Sequence, residues 1–195
     1  MSPNELLEAK PYKDHGKILV FDLDDTIIVS AAKIWVKDKL TGEEFSLTPE
    51  EFNTFQKKPN QILNFDEFQS LEIMKAGKLI NYYFKIFKEA YRKKIAIGIV
   101  TARDDHRMIY KWLKDHLKHP IDGDLIFAVN DNSHHNFKGD IADRKKEAFR
   151  EIIDKGFDDL QFYDDDTANL RLVKSLEKEY PNVKISTIRA KKMHR

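Results

Sequence analysis

Closely spaced aspartates follow an apolar segment near the start of the chain. The run KILVFDLDDTIIVS has four apolar residues at 18–21, followed by Asp22, Asp24 and Asp25. A buried strand would hold acids at its end in fixed positions, and fixed, paired carboxylates are typical of cation binding or catalysis. An acidic turn or a helix cap has the same spacing. The function of this run therefore depends on which other polar residues lie close to it in the folded protein.

Two later apolar runs also end in polar residues. The first ends in IVTAR, which contains Thr101 and Arg103. The second ends in FYDDDTAN, which contains Asp164, Asp165 and Asn169. A threonine at a strand end is most often only the cap of the next helix, so each run taken alone is a weak indication of function.

A pair of lysines lies at the start of the helix predicted before FYDDDTAN. Lys145 precedes the apolar residues Phe149, Ile152 and Ile153 by four, seven and eight positions. In a helix these separations place side chains on one face, so Lys145 is expected to face inward, whereas Lys146 points about 100° away. A lysine pair at such a place is most often exposed to solvent.

These polar side chains can meet only if the apolar runs are strands of one sheet. Five such runs alternate with amphipathic helical stretches, and several of them are apolar on both faces. The strand candidates are residues 18–21, 95–100, 125–129, 160–163 and 183–188. The alternation predicts an α/β, Rossmann-like fold with a central parallel five-stranded sheet and helices on both faces. Parallel strands all end at one edge, so the polar residues that follow them are expected to converge.

Converging acids need a counter-charge. Five or more carboxylates at one edge cannot all remain ionised without a cation close by. Mg²⁺ is the expected cofactor, because this hard ion prefers a few carboxylates together with water and substrate oxygens.

The alternation of strands and helices is interrupted directly after the first acidic run. Residues 31–48 have the pattern of a β-hairpin with its turn near 40–42, and TPEE at 48–51 is a capping box. We therefore expect residues 31–66 to form an insertion within a single domain that spans 1–195. An insertion at this place borders the crevice of such a fold, so it is either a lid or a decoration. Trp35 within it would stack on a base or pack in the hairpin.

Composition excludes several classes of protein. The chain has 195 residues, 41% hydrophobic and 34% charged, which is typical of an ordinary globular domain. Its net charge of +1 by itself predicts neither a nucleic-acid binder nor a membrane-surface protein. Cysteine is absent, which excludes thiolate sites and is compatible with the cytoplasmic localisation that we expect. There is no signal-peptide pattern and no apolar run of ~20 residues, so no membrane partner is expected.

Taken together, the runs resemble the four motifs of the haloacid dehalogenase superfamily, whose members are mostly Mg²⁺-dependent phosphohydrolases. FDLDDT is similar to the first motif, IVTAR to the second, the helix-start lysine to the third and FYDDDTAN to the fourth, in the right order across residues 17–189. The resemblance implies that superfamily's Rossmann-like fold, with residues 31–66 similar to the flap of small-capped members. LTPEEF and FDEF within the insertion resemble small phosphatase-like proteins common in phages.

The resemblance also implies catalytic roles. Asp22 would attack phosphorus and form an aspartyl-phosphate, and Asp24 would protonate the leaving oxygen and later activate the hydrolytic water. Thr101 would donate a hydrogen bond to the phosphoryl oxygens. Lys145, or Lys146 in its place, would supply positive charge.

The ligands of Mg²⁺ are implied in the same way. Asp22 would bind the ion directly, and Asp24 would bind it through its backbone carbonyl. Asp165 would be the main ligand from the fourth motif, with Asp164 and Asn169 orienting the ion or its waters.

Contacts to the substrate are expected at Thr26 and Arg103. Arg103 would hold a phosphate bidentately or pair with Asp104 or Asp105. Residues 75–118 carry twelve Lys or Arg against four Asp or Glu, which would suit a polyanion or form the exposed faces of two helices.

These inferences predict a Mg²⁺-dependent phosphatase without an obligate protein partner, acting on a phosphorylated small molecule or a nucleic-acid end. TAR and the YDD strand end resemble the phosphatase domain of polynucleotide kinase-phosphatases, which remove terminal 3′-phosphates. The alternatives are a non-catalytic phosphate-binding or scaffold protein on the same fold, and a phosphotransferase. His134 and His135 are interpreted as surface residues, because no acids are spaced to share a metal with them.

Overall fold

A computed structural model describes residues 16–52, 54–117, 121–133 and 136–191. These residues form ten β-strands and six α-helices. The strands are β1 (Lys17–Phe21), β2 (Ile28–Val29), β3 (Ile34–Asp38), β4 (Glu44–Leu47), β5 (Gln61–Asn64), β6 (Lys78–Leu79), β7 (Ala96–Thr101), β8 (Ile126–Ala128), β9 (Asp159–Asp164) and β10 (Lys184–Arg189). The helices are α1 (Pro49–Phe52), α2 (Leu71–Ala76), α3 (Asn81–Arg92), α4 (His106–His116), α5 (Ile141–Asp154) and α6 (Thr167–Lys174). The predicted surface position of His134 and His135 lies outside the described residues.

Five strands form the central sheet in the order β10-β9-β1-β7-β8, and every neighbouring pair is parallel. This arrangement confirms the predicted α/β architecture with a five-stranded parallel sheet. Strand β1 lies in the middle, where Phe21 is opposite Ile99 of β7 and Tyr163 of β9. The three chain segments that carry the candidate site residues therefore leave the sheet side by side.

Helices cover both faces of this sheet. On one face, Phe21 belongs to a buried cluster with Phe87 of α3 and Trp112 of α4. On the other face, Val20 belongs to a cluster with Phe149 of α5. Successive residues of β1 thus enter opposite clusters, which explains why its sequence is apolar without alternation. Within the described part of the chain, no helix combines the length and apolar character that crossing a membrane requires.

A second, antiparallel sheet of three strands lies between β1 and β7 in the sequence. Strand β3 pairs with β4 at the predicted hairpin, and also with β5 on its other side. Glu51 accepts a hydrogen bond from the Thr48 amide (2.7 Å) and donates its own amide to the Thr48 hydroxyl (3.2 Å), as in a capping box. Sequence reasoning missed β5, because its four residues QILN contain only two apolar side chains and follow Pro59 and Asn60. A 3-10 helix, Asp66–Gln69, ends this segment.

Candidate active site

The carboxyl end of β1 positions Asp22, which is only 5% exposed. Its amide donates to the carbonyl of Tyr163 (2.8 Å), which extends the pairing of β1 with β9 by one residue. The chain then turns sharply: Asp25 has a φ of 58°, in the left-handed region, and the Leu23 carbonyl accepts from the Ile28 amide (3.0 Å). A tight turn therefore holds the aspartates of FDLDDT at the sheet edge.

Helix α5 brings a lysine to these acids. Lys145 is 2% exposed, and its Nζ lies 2.9 Å from Asp22 Oδ1 and 2.7 Å from Asp164 Oδ2. Lys146 instead pairs with Glu179 at the surface (2.6 Å). Lys145 is therefore the lysine that contacts the acids, as its position on the helix predicted.

Asp164, at the end of β9, is fully buried and held from several sides. Its Oδ1 accepts a hydrogen bond from the Asp166 amide (2.8 Å), and Asn169 Nδ2 lies 3.1 Å from its Oδ2. Asn169 is itself buried in the first turn of α6. Asp164 and Asn169 are therefore fixed relative to Lys145 and to the sheet.

Three carboxylates lie close enough to share one cation. One oxygen from each of Asp22, Asp164 and Asp165 lies within 4.8 Å of the other two. If all three are ionised, three negative charges face the single positive charge of Lys145, which leaves about −2 uncompensated. Carboxylate oxygens are the donors that a hard divalent cation prefers. Both the donor set and the charge deficit fit such an ion.

Burial changes how these groups titrate. Desolvation raises the pKa of Asp22 well above its ordinary value, although the charge of Lys145 acts in the opposite direction. Desolvation also raises the pKa of Asp165 to about 6, and the charge of Asp164 adds to this rise. Burial lowers the pKa of Lys145, but the charges of Asp22 and Asp164 outweigh it, so this pKa lies above its ordinary value. A bound cation would relieve the repulsion among the three acids.

The Asp24 carboxylate lies outside this group, because Arg103 binds both of its oxygens. Arg103 Nε lies 2.9 Å from Asp24 Oδ2, and its Nη2 lies 2.8 Å from Oδ1. Arg103 is 4% exposed, and its Nη1 donates to the carbonyl of Phe68 (2.8 Å). Asp24, and neither Asp104 nor Asp105, is therefore the ion-pair partner of Arg103 among the described residues.

The two threonines predicted near the substrate are both buried. Thr101 ends β7, and its hydroxyl oxygen accepts a long hydrogen bond from the Arg103 amide (3.4 Å), which leaves its proton available to donate. The Thr26 hydroxyl has no hydrogen-bond partner within the described ranges. Buried hydroxyls are normally satisfied, so water or a substrate oxygen is its expected partner.

A cavity of about 420 Å³ lies beside the acidic turn. Its lining includes Asp25 and Ser30, and also Pro49 and Glu50 of α1. Tyr82 of α3 lines it too and is 57% exposed. Residues 31–66 therefore contribute to a crevice next to the candidate site.

Two other features suggested contact with nucleic acid, namely Trp35 and the basic residues of 75–118. Both are exposed to solvent. The Trp35 indole N–H donates to Glu67 (2.7 Å), and Trp35 is 42% exposed in a separate groove that none of the site acids lines. Within the described part of residues 75–118, every Lys and Arg except Arg103 is exposed. Most of these basic residues lie on α3 and α4, as expected for the outer faces of two helices.

Sequence reasoning missed the contacts that join the loops around the site. Phe68 and Ser30 both lie within hydrogen-bond distance of Arg103, and neither occurs in a pattern that signals this role. The Asn130 side chain donates to the loop after β7 (2.7 Å) and accepts from Arg144 (2.5 Å). Asn130 follows the apolar run of β8, so the rule that polar residues converge at strand ends could have identified it.

Comparison with known proteins identifies no family: the chain matches no protein-family model, and no curated protein is significantly similar to it. The geometry and chemistry of the site are therefore the only guide to its function.

Proposed function

We propose that this chain is a Mg²⁺-dependent phosphomonoester hydrolase of the haloacid dehalogenase type that works in the cytoplasm through an aspartyl-phosphate on Asp22. The observation that carries the proposal is the buried contact of Lys145 with Asp22 and Asp164, next to Asp165. Phosphoryl transfer requires a nucleophile, a fixed positive charge and ligands for a divalent ion close together. The carboxyl edge of this sheet carries groups suited to all three roles.

Asp22 supplies the nucleophilic oxygen. Lys145 binds its Oδ1, so Oδ2 attacks phosphorus, and the bond from phosphorus to the leaving oxygen breaks as the new bond forms. An anionic phosphoryl group repels a carboxylate unless positive charge screens it, and Lys145 provides one such charge in a buried position. When bound by Asp22, Asp164 and Asp165, Mg²⁺ supplies further screening and stabilises charge on the phosphoryl oxygens.

Asp24 transfers the protons in this scheme. Asp24 enters the cycle protonated on the edge that Arg103 leaves free, gives this proton to the leaving oxygen, and then takes a proton from the water that attacks phosphorus and releases Asp22. Thr101 donates a hydrogen bond to a phosphoryl oxygen, and Thr26, whose buried hydroxyl has no partner among the described residues, is the second proposed contact to the substrate. The net reaction converts a phosphomonoester and water into an alcohol and inorganic phosphate.

Substitution of the nucleophile tests the proposal. Asp22→Asn keeps the size of the side chain but removes the attacking carboxylate, so we expect Mg²⁺-dependent hydrolysis of 4-nitrophenyl phosphate to fall roughly a thousandfold or more. Circular dichroism should show an unchanged fold. The control is Asp154→Asn, which changes an exposed aspartate at the far end of α5 and should retain wild-type activity. Near-normal turnover by Asp22→Asn would show that Asp22 is not the nucleophile.

The substrate class requires a panel of phosphate esters. We expect a nucleotide or a 3′-phosphorylated oligonucleotide to be hydrolysed faster than 5′-phosphorylated oligonucleotides, sugar phosphates or phosphoamino acids. Activity on a polynucleotide end should fall steeply with added salt, because contacts to a polyanion release counter-ions, whereas activity on a mononucleotide should change little.

Two outcomes of the same panel would favour other functions. A wild-type protein that binds Mg²⁺ and phosphate but hydrolyses none of these esters would be a phosphate-binding or scaffold protein. Turnover that requires an acceptor alcohol and releases no inorganic phosphate would identify a phosphotransferase.

A further inference from the structure

The carboxylate assigned to proton transfer is fully engaged by another side chain. Both oxygens of Asp24 accept hydrogen bonds from Arg103, at 2.9 and 2.8 Å. The arginine side chain is 2% exposed and the aspartate side chain 26%, so Arg103 approaches from the buried side and leaves one edge of Asp24 towards solvent. A bidentate pair of this kind fixes the plane of the carboxylate as well as its position.

The same guanidinium also holds the insertion. Arg103 Nη1 donates to the carbonyl of Phe68 (2.8 Å), and its Cζ lies 5.5 Å from the centre of the Phe68 ring. Phe68 lies in the 3-10 helix at the end of the insertion, and its neighbour Gln69 donates to Asp104 (2.6 Å). Arg103 Nη2 also lies 3.4 Å from the hydroxyl of Ser30, which directly precedes the insertion. One side chain thus contacts the proposed acid and two residues, Ser30 and Phe68, that flank residues 31–66 on either side.

These contacts leave Arg103 little capacity to bind a phosphate. A guanidinium has five N–H donors. Two donate to Asp24, one to Phe68, and a second N–H of Nη2 is directed to Ser30. Only one donor of Nη1 is left, which is insufficient for bidentate binding of a phosphate.

We propose that Arg103 is a positioning residue that couples the placement of the insertion to the orientation of Asp24, and that it is not a ligand of the substrate phosphate. This inference rests on the proposed function, because Arg103 acts through Asp24. Without the arginine, the Asp24 carboxylate can rotate away from the leaving oxygen, and the 3-10 helix Asp66–Gln69 keeps its contact through Gln69 but loses the one through Phe68.

The dependence of the rate on the leaving group distinguishes a positioning role of Arg103 from a role as a phosphate ligand. An alkyl phosphate needs a proton on its leaving oxygen, whereas 4-nitrophenolate leaves readily without one. We therefore expect Arg103→Gln to lower kcat/KM for 2-phenylethyl phosphate on the order of a hundredfold or more, and for 4-nitrophenyl phosphate less than about tenfold. The inhibition constant of inorganic phosphate should not change. Arg103→Lys keeps the charge but cannot form the bidentate pair with Asp24, so it should not restore kcat/KM for 2-phenylethyl phosphate.

The matched control is Arg171→Gln, which removes an exposed arginine from α6 and should leave both substrates unaffected. Equal losses on the two substrates, together with a tenfold or larger rise in the phosphate inhibition constant, would make Arg103 a phosphate ligand. That result would overturn this inference while leaving the proposed phosphatase intact.

Hydrogen–deuterium exchange tests the coupling without relying on activity. In Arg103→Gln we expect faster exchange of the amides at 61–69 and 23–28 than in the wild type or in Arg171→Gln. Unchanged exchange in these segments would overturn the coupling, even if no phosphatase activity were found. Asp24→Asn, which keeps the size of the side chain but weakens the pair, provides the same test if Arg103→Gln does not fold.

Discussion

Lys145 lies between two buried carboxylates, so its charge matters for folding as well as for the proposed chemistry. Removing one member of a buried ion network leaves the others uncompensated, which costs about 3–5 kcal/mol. We expect Lys145→Met to lower the free energy of unfolding in EDTA by about that amount, measured by urea denaturation. Lys146→Met is the matched control, because loss of its surface pair with Glu179 should cost less than about 1 kcal/mol. Equal small losses in both variants would contradict the assignment of a buried network.

Asp165 makes the metal-free protein sensitive to pH. Its pKa is raised from 3.8 to about 6, so the folded state holds this proton more tightly than the unfolded state does. The stability associated with that proton is present below pH 3.8 and is lost as the pH rises to about 6. Asp165→Asn should therefore be more stable than the wild type at pH 7.5 in EDTA, and the difference should shrink as the pH falls through this window.

Magnesium should offset the loss of stability that ionised Asp165 causes near neutral pH. Because a cation binds the ionised form of Asp165, the rise in wild-type melting temperature on adding Mg²⁺ should be larger at pH 7.5 than at pH 5. Asp165→Asn should lose most of this rise, whereas Asp154→Asn should keep it. Thermal unfolding followed by circular dichroism provides both comparisons. A Mg²⁺ response that survives in Asp165→Asn would place the ion elsewhere.

At the scale of elements, the three-stranded sheet formed by β3, β4 and β5 has its own apolar contacts. Ile34 and Val36 are buried in β3 but belong to neither of the clusters on the faces of the main sheet. We expect Val36→Ala to destabilise this sheet by about 2 kcal/mol, because two buried methyl groups are lost. Hydrogen–deuterium exchange should speed up in β3, β4 and β5 and stay slow in β1 and β7.

The neighbouring residue provides the control for this prediction. Lys37 faces the opposite side of β3, and its pair with Glu44 is more than half exposed (57% and 52% of the two side chains). Lys37→Ala should therefore leave exchange in all three strands nearly unchanged. If Val36→Ala accelerated exchange in β1 to the same extent, the three-stranded sheet and the main sheet would unfold as one unit.

For the whole molecule, two helix layers on one sheet predict a single cooperative unfolding transition. Phe149 of α5 is fully buried, and its ring centre lies 4.6 Å from that of Phe162 on β9. Phe149→Ala should lower the free energy of unfolding by about 3–5 kcal/mol and keep one transition by circular dichroism and tryptophan fluorescence. Leu40→Ala, at a residue that is 82% exposed, should change it by less than about 0.5 kcal/mol. Separate transitions for the two probes would contradict this account.

The sequence by itself determined the layers of the molecule and the edge at which its polar residues meet. Apolar runs of strand length, separated by amphipathic helices, leave few alternatives to a covered parallel sheet, and parallel strands must end together. Helical periodicity also determined which lysine faces inward, because side-chain direction within one helix is a local property.

Only the tertiary structure decided which charges pair. Asp24 and Arg103 lie 79 positions apart, and Asp104 and Asp105 are nearer to the arginine in sequence. The choice among them depends on the direction in which the turn after β1 and the 3-10 helix Asp66–Gln69 approach the guanidinium. Strand β5 was missed for the same reason, since its pairing with β3 joins residues more than twenty positions apart and is not encoded in its own four residues. Contacts between segments far apart in the chain depend on their relative placement, which no local pattern encodes.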